Sequence, residues 1–131
     1  MLHEELSGKI IGAAMTVLNE LKPGLDEKLY ERALIIELRN QGLKVDQQKQ
    51  FEVFYRQEMI GLLIPDLIVG DAVIVDTKVV DDFSDAHMAQ MIGYLAITKL
   101  QLALLINFKH NQLRWKRVVR EKISENPRSS A

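Results

Sequence analysis

The chain contains no cysteine. That excludes disulfide staples, thiolate zinc sites and a cysteine nucleophile, and it leaves any metal to oxygen or imidazole ligands. Such ligands favour hard ions such as Mg²⁺ or Mn²⁺. No apolar run approaches the roughly 20 residues that a membrane span requires, and the chain opens on His3, Glu4 and Glu5 instead of a basic segment followed by an apolar one. A soluble, cytoplasmic protein with no membrane partner is therefore expected. An excess of one charge is also missing: the formal net charge is −1. The whole-molecule field thus supplies no strong nonspecific attraction to polyphosphate, and any nucleic-acid contact has to come from a local patch.

What is present suffices for one domain with one sizeable core, since 47% of the 131 residues are apolar. Residues 1–123 are expected to form it, with 124–131 as a flexible C-terminal tail. From Leu6 to Leu21, Ile10, Ile11, Ala14, Val17, Leu18 and Leu21 recur at helical spacing, and Lys22-Pro23-Gly24 breaks the pattern. A second helix is predicted over Leu25–Asn40, turning Leu25, Leu29, Ala33, Leu34, Ile36 and Leu38 inward and ending before Gly42. Phe51–Tyr55, Met59–Val69 and Val73–Val80 then read as strands, with Arg56-Gln57-Glu58 as a turn. A helix capped by Ser84 or Asp85, a strand at Leu102–Phe108 and a last strand at Leu113–Val119 complete the order. This is an α/β pattern, and the near-continuous apolar strands imply a central mixed sheet with helices on both faces.

Three charges break the apolar strands: Asp66 in one, Asp76 and Lys78 in the next. Side chains alternate along a strand, so Asp76 and Lys78 project from one side, about 7 Å apart at Cα, while Thr77 points away. If Gly70-Asp71-Ala72 is a three-residue loop, Val69 faces Val73 and Asp66 faces Asp76; a two-residue loop would separate the two acids. Two adjacent carboxylates on an apolar surface repel unless a cation or a shared proton intervenes. Mg²⁺ would remove that repulsion, bond carboxylate oxygens at about 2.1 Å and keep waters, one of which can attack a phosphodiester. Lys78 would orient that water or offset the charge that builds on the phosphate. The alternative is a solvated Asp–Lys pair with a second Asp nearby.

Pro65-Asp66 followed by Asp76-Thr77-Lys78 resembles the signature of the PD-(D/E)xK nuclease superfamily, with Asp in the last acidic position where relatives more often have Glu. Gly24-Leu25-Asp26-Glu27-Lys28-Leu29-Tyr30 resembles the GxxExxY motif of one compact branch of that superfamily. The likeness continues through Ala33-Leu34, Glu37-Leu38, the QxxxY element Gln90–Tyr94 and Leu105-Ile106-Asn107-Phe108. The resemblance implies a restriction-endonuclease-like αβββαβ core with an added N-terminal helix and a closing C-terminal strand. It implies Asp66 and Asp76 as metal ligands, Glu27 as an extra acid, the Thr77 carbonyl as a further ligand, and Lys78 assisting hydrolysis. By the same pattern Gln90 and Tyr94 turn toward a substrate groove, Gln90 as a catalytic candidate and Tyr94, with Tyr30 on the face of Glu27, as nucleic-acid contacts.

Each of these residues also has a plainer role open to it. Glu27 can be a first-turn acid favoured by the helix dipole, and Tyr30 and Tyr94 can be core aromatics with a satisfied hydroxyl. His87 is expected at the surface. Arg114, Lys116, Arg117, Arg120 and Lys122 cluster around Trp115, a composition suited to phosphates and a stacked base, or else to a charged strand edge. The leading expectation is Mg²⁺-dependent (or Mn²⁺-dependent) cleavage of nucleic acid, DNA before RNA. The rival is a weakly active or inactive module that binds nucleic acid or a protein partner. A homo-oligomer meeting through Ile10, Ala14 and Val17 is a third.

Overall fold

The helical apolar period at the start of the chain becomes α1 (Glu4–Leu21), which buries Ile10, Ala13, Ala14, Val17 and Leu18. The computed structural model describes residues 2–120, so Lys122 and the expected tail lie outside the described residues. The helix face expected to mediate self-association belongs to the core: Ile10, Ala14 and Val17 are buried.

The next helix, α2 (Glu27–Asn40), ends as its sequence demands. Gly42 takes a left-handed φ of 79° and donates its N–H to the Arg39 carbonyl, while Leu43 N–H reaches back to Leu38. This is the closure that glycine beyond a helix end permits without a Cβ clash. Tyr30, Leu34, Ile35 and Leu38 face inward. Leu29 and Ile36, expected there as well, lie on the outward side, and Leu25 precedes the helix and is exposed. Only one stripe of α2 touches the rest of the protein, and residues seven apart share the stripe that does not.

Seven strands follow: β1 (Val45–Gln47), β2 (Phe51–Tyr55), β3 (Glu58–Leu63), β4 (Leu67–Val69), β5 (Val73–Lys78), then after α3 (Asp85–Thr98), β6 (Leu102–Asn107) and β7 (Arg114–Val119). The main sheet has the order β1-β4-β5-β6-β7. Its β5–β6 pair is parallel, as a helical crossover allows, and the other pairs are antiparallel. Val73, Val75, Leu102, Leu104 and Ile106 pack against α1 and α2, whereas Ile74, Ala103, Leu105 and Val118 meet Met91 and Leu95 of α3. Covered on both faces, β5 and β6 read as continuous apolar runs. The mixed α/β architecture with flanking helices is the one expected.

Two details differ. The strand expected over 59–69 is two strands, because the chain leaves the ladder at Ile64-Pro65-Asp66; proline has no N–H to continue it. β3 pairs only with β2, forming a separate ribbon whose tip, Arg56 and Gln57, has φ of 48° and 72°. That is the left-handed pair of a two-residue hairpin turn, so Glu58 already belongs to the strand. The short β1 carries no pattern long enough to register as a strand and is defined by its pairing with β4. Among the described residues no helix is long and apolar enough to cross a membrane.

Candidate active site

The hairpin between β4 and β5 has the odd loop. Val69 pairs with Val73, Ile68 with Ile74 and Leu67 with Val75, around Gly70 and Asp71 at φ of 62° and 56°. One further step of that register sets Asp66 opposite Asp76. Alternation then places Asp76 and Lys78 on the α3 side with Ile74, and Thr77 on the other. β4 begins only at Leu67, so β5 beyond Val75 has no antiparallel neighbour. Glu27, the first residue of α2, meets Asp66 and Asp76 there, each of the three offering a carboxylate oxygen within 4.8 Å of the others.

The cluster is electrostatically frustrated. Asp76 is buried, and burial, with Asp66 and Glu27 adding their negative charge, pushes its carboxyl up from 3.8 to about 7 against the pull of Lys78. Burial and the Asp66 charge also raise Glu27, again opposed by Lys78. The Lys78 ammonium lies 3.5 Å from Asp76 Oδ1, yet that buried oxygen makes no hydrogen bond. A buried carboxylate whose Oδ1 has this long ammonium contact in place of a hydrogen bond, gathered with two further acids, fits a cation. Six-coordinate Mg²⁺ at about 2.1 Å holds its oxygens no more than about 4.2 Å apart, so the three acids need only small side-chain movements to bind one.

The backbone adds a fourth oxygen. Along a strand successive peptide groups turn to alternate sides. Lys78 C=O accepts from Phe108 N–H, on the β6 side, which turns the Thr77 carbonyl toward the β4 side. The β4–β5 ladder ends at Leu67 and Val75, so it supplies this carbonyl no partner.

Other expected site residues divide between the groove and the core. Gln90 is exposed on α3 and donates to the Tyr94 hydroxyl at 3.2 Å. Tyr94 lies in the field of the cluster: burial first, then Asp76 and Asp66, raise its pKa. Tyr30 has no free surface. It stacks on Phe108 at 4.8 Å, donates to Lys22 C=O at 2.6 Å and accepts from Leu25 N–H at 3.1 Å. It is the core aromatic of its two expected roles, and it cannot contact nucleic acid. It fixes the turn that leads into Glu27.

The basic cluster is split by strand alternation. Arg114 and Lys116 fall on the α3 side, level with Asn107 and Leu105, whereas Arg117 turns to the other face. There its guanidinium is spent on Ser7 Oγ at 2.8 Å and Leu2 C=O at 2.7 Å, which ties β7 to α1 and removes Arg117 from the expected nucleic-acid contacts. His87 closes a capping box with Ser84, each backbone N–H donating to the other's side chain. Asn107 received no role from the sequence beyond its place in the family resemblance. Buried beside Lys78, it donates to Val80 C=O at 2.7 Å and accepts from Val80 N–H and Lys109 N–H, holding the exit of β5. A polar side chain in an apolar strand, the signal that exposed Asp76, marks Asn107 too.

Three carboxylates and a lysine gathered at the open edge of a central strand, in a mixed sheet between helices, define a nuclease fold. The chain belongs to the PD-(D/E)XK nuclease superfamily, whose family model matches residues 4–118. Among solved structures, an alkaline exonuclease, LHK-Exo of Laribacter hongkongensis, is similar at a TM-score of 0.49 and 14% identity, covering 82% of this chain and 76% of that one. The LHK-Exo complex with dAMP gives a TM-score of 0.50 with the same identity and coverage. At such identity the likeness concerns the fold alone. No curated protein matches the sequence.

Proposed function

We propose that this protein hydrolyses phosphodiester bonds of nucleic acid, DNA in particular, with Mg²⁺ or Mn²⁺ bound by Glu27, Asp66, Asp76 and the Thr77 carbonyl. The observation that carries the reading is the buried Asp76 carboxylate, one oxygen of it without a hydrogen bond, gathered with two other acids beside Lys78. When bound, the ion supplies a Lewis acid for the phosphate and a more acidic water. Lys78 holds a fixed positive charge next to the acids, where it offsets the charge that grows on the attacked phosphate. Gln90 and the protonated Tyr94 hydroxyl offer hydrogen bonds to the substrate, and Arg114 and Lys116, on the same side of the sheet, offer cations to its phosphates. Gly24, Glu27 and Tyr30 favour the GxxExxY branch of the superfamily, and the cysteine-free, near-neutral composition suits the cytoplasm.

The test is cleavage of single- and double-stranded DNA with Mg²⁺, Mn²⁺ or EDTA. Wild type should cut only with the ion, and Asp76→Asn and Lys78→Ala should lose the activity while keeping the wild-type circular dichroism spectrum. Absence of both cleavage and any calorimetric heat with Mn²⁺ would leave the second reading, a binding module without catalysis. One feature favours that second reading: the β2–β3 ribbon exposes Phe54 and Met59, which pair across it, a surface suited to a protein partner.

A further inference from the structure

A cleft of about 410 Å³ opens one strand away from Lys78, lined by Asp82, Phe83, Asn107, Leu113, Arg114 and Trp115. Its position follows from the sheet. Lys78 pairs with Asn107, and Asn107 pairs with Arg114, so these residues form one row across β5, β6 and β7 on the face that carries Asp76. At the usual strand spacing Arg114 lies about 10 Å from Lys78 at Cα. Asn107 forms an inner wall of the cleft and is occupied by its bonds to Val80 and Lys109. The remaining lining combines Phe83, on the α3 side, with Leu113 and Trp115, which alternation along β7 turns toward α1 so that they close the cleft at the sheet edge, and one guanidinium at the rim. Arg114 meets only Asp82 there, at 3.5 Å, with both side chains more than half exposed. Such a pair is worth little and exchanges readily for a phosphate.

We infer that this cleft receives the base of a nucleotide flanking the scissile phosphate, in a single strand, with Arg114 on that nucleotide's phosphate. The inference rests on the nuclease reading above. Aromatic and apolar walls suit the face of an unstacked base and do not suit a phosphate, whereas the rim cation suits the phosphate and not the base. A duplex keeps its bases stacked and presents only their edges between the backbones, so no base face can enter the cleft. The row Lys78–Asn107–Arg114 gives the strand its direction, across the sheet from the acids toward β7.

Trp115 is the only tryptophan in the chain, and it is 39% exposed, so its fluorescence reports on the cleft directly. The experiment titrates a short oligothymidylate, and a blunt duplex of equal length, into wild-type protein in EDTA and into Asp76→Asn. Saturable quenching by the single strand is expected, with Phe83→Ala and Arg114→Ala each weakening binding by about tenfold. Met15→Ala, in the groove on the other side of Trp115, should leave it unchanged. Quenching by the duplex as strong as by the single strand, or insensitivity to both Phe83→Ala and Arg114→Ala, would overturn the inference. So would absence of quenching in a protein that cleaves DNA, and the nuclease reading would then stand alone. Quenching without cleavage would retain the cleft as a single-strand site and remove the nuclease reading.

Discussion

Removing the metal should make the folded protein sensitive to pH in an unusual direction. Most carboxylates in native proteins sit below their ordinary pKa and stabilise the fold as pH rises. Asp76 does the opposite, because burial, Asp66 and Glu27 push it from 3.8 to about 7. Between those values the native state holds a proton that the unfolded chain has released, so stability falls as pH rises and the loss is complete above about pH 7. At 1.36 kcal/mol per pH unit the full effect is about 4 kcal/mol, and the Asp76 side chain is only 6% exposed, so solvent screens little of it. Between pH 5.5 and 8 the metal-free protein should lose about 2 kcal/mol, or about 8 °C in Tm for a domain of this size. The assay is thermal unfolding in EDTA across that range, comparing wild type with Asp76→Asn, which cancels the contributions of titrating groups outside the cluster. The substituted protein should be more stable at pH 8 and show a flatter profile. Mn²⁺ at about a hundred times its Kd should return about 2.7 kcal/mol to wild type at pH 8. Parallel profiles for the two proteins, or an Asp76→Asn protein less stable at pH 8, would refute the account of the cluster as three mutually repelling acids.

Further outcomes follow from individual contacts. Tyr30→Phe strands the Lys22 carbonyl and the Leu25 N–H in the turn before Glu27, and should cost about 1–3 kcal/mol in urea unfolding. Ser84→Ala removes the acceptor for His87 N–H at the start of α3, with an expected loss of about 1 kcal/mol by the same measurement.

The acids were legible because they violate a pattern. A charge in a strand buried on both faces stands out, and Gly70 followed by Asp71, residues that tolerate positive φ, selected the loop that brings Asp66 level with Asp76. The termination of α2 at Gly42 and the Ser84 cap were legible for the same local reason. What escaped depends on contacts distant in sequence. β1 has three residues and exists through its pairing with β4. The run 59–69 carries no mark of which sheet each half joins, apart from Pro65, whose missing N–H ends the first half. Arg117 reads like its basic neighbours until α1 arrives with Ser7 and the Leu2 carbonyl. Leu29 and Ile36 fit an inward stripe until the single contact face of α2 is known.

The three acids enter from three separate stretches of chain: the head of one helix, the residue ahead of β4, and the middle of the next strand. An unfolded polypeptide holds them too far apart to share an ion, and no fragment lacking one stretch can assemble the set. An ion held by all three would therefore tie its occupancy to completion of the tertiary structure, and its scarcity would lower the population of native molecules as well as the rate of any chemistry they perform.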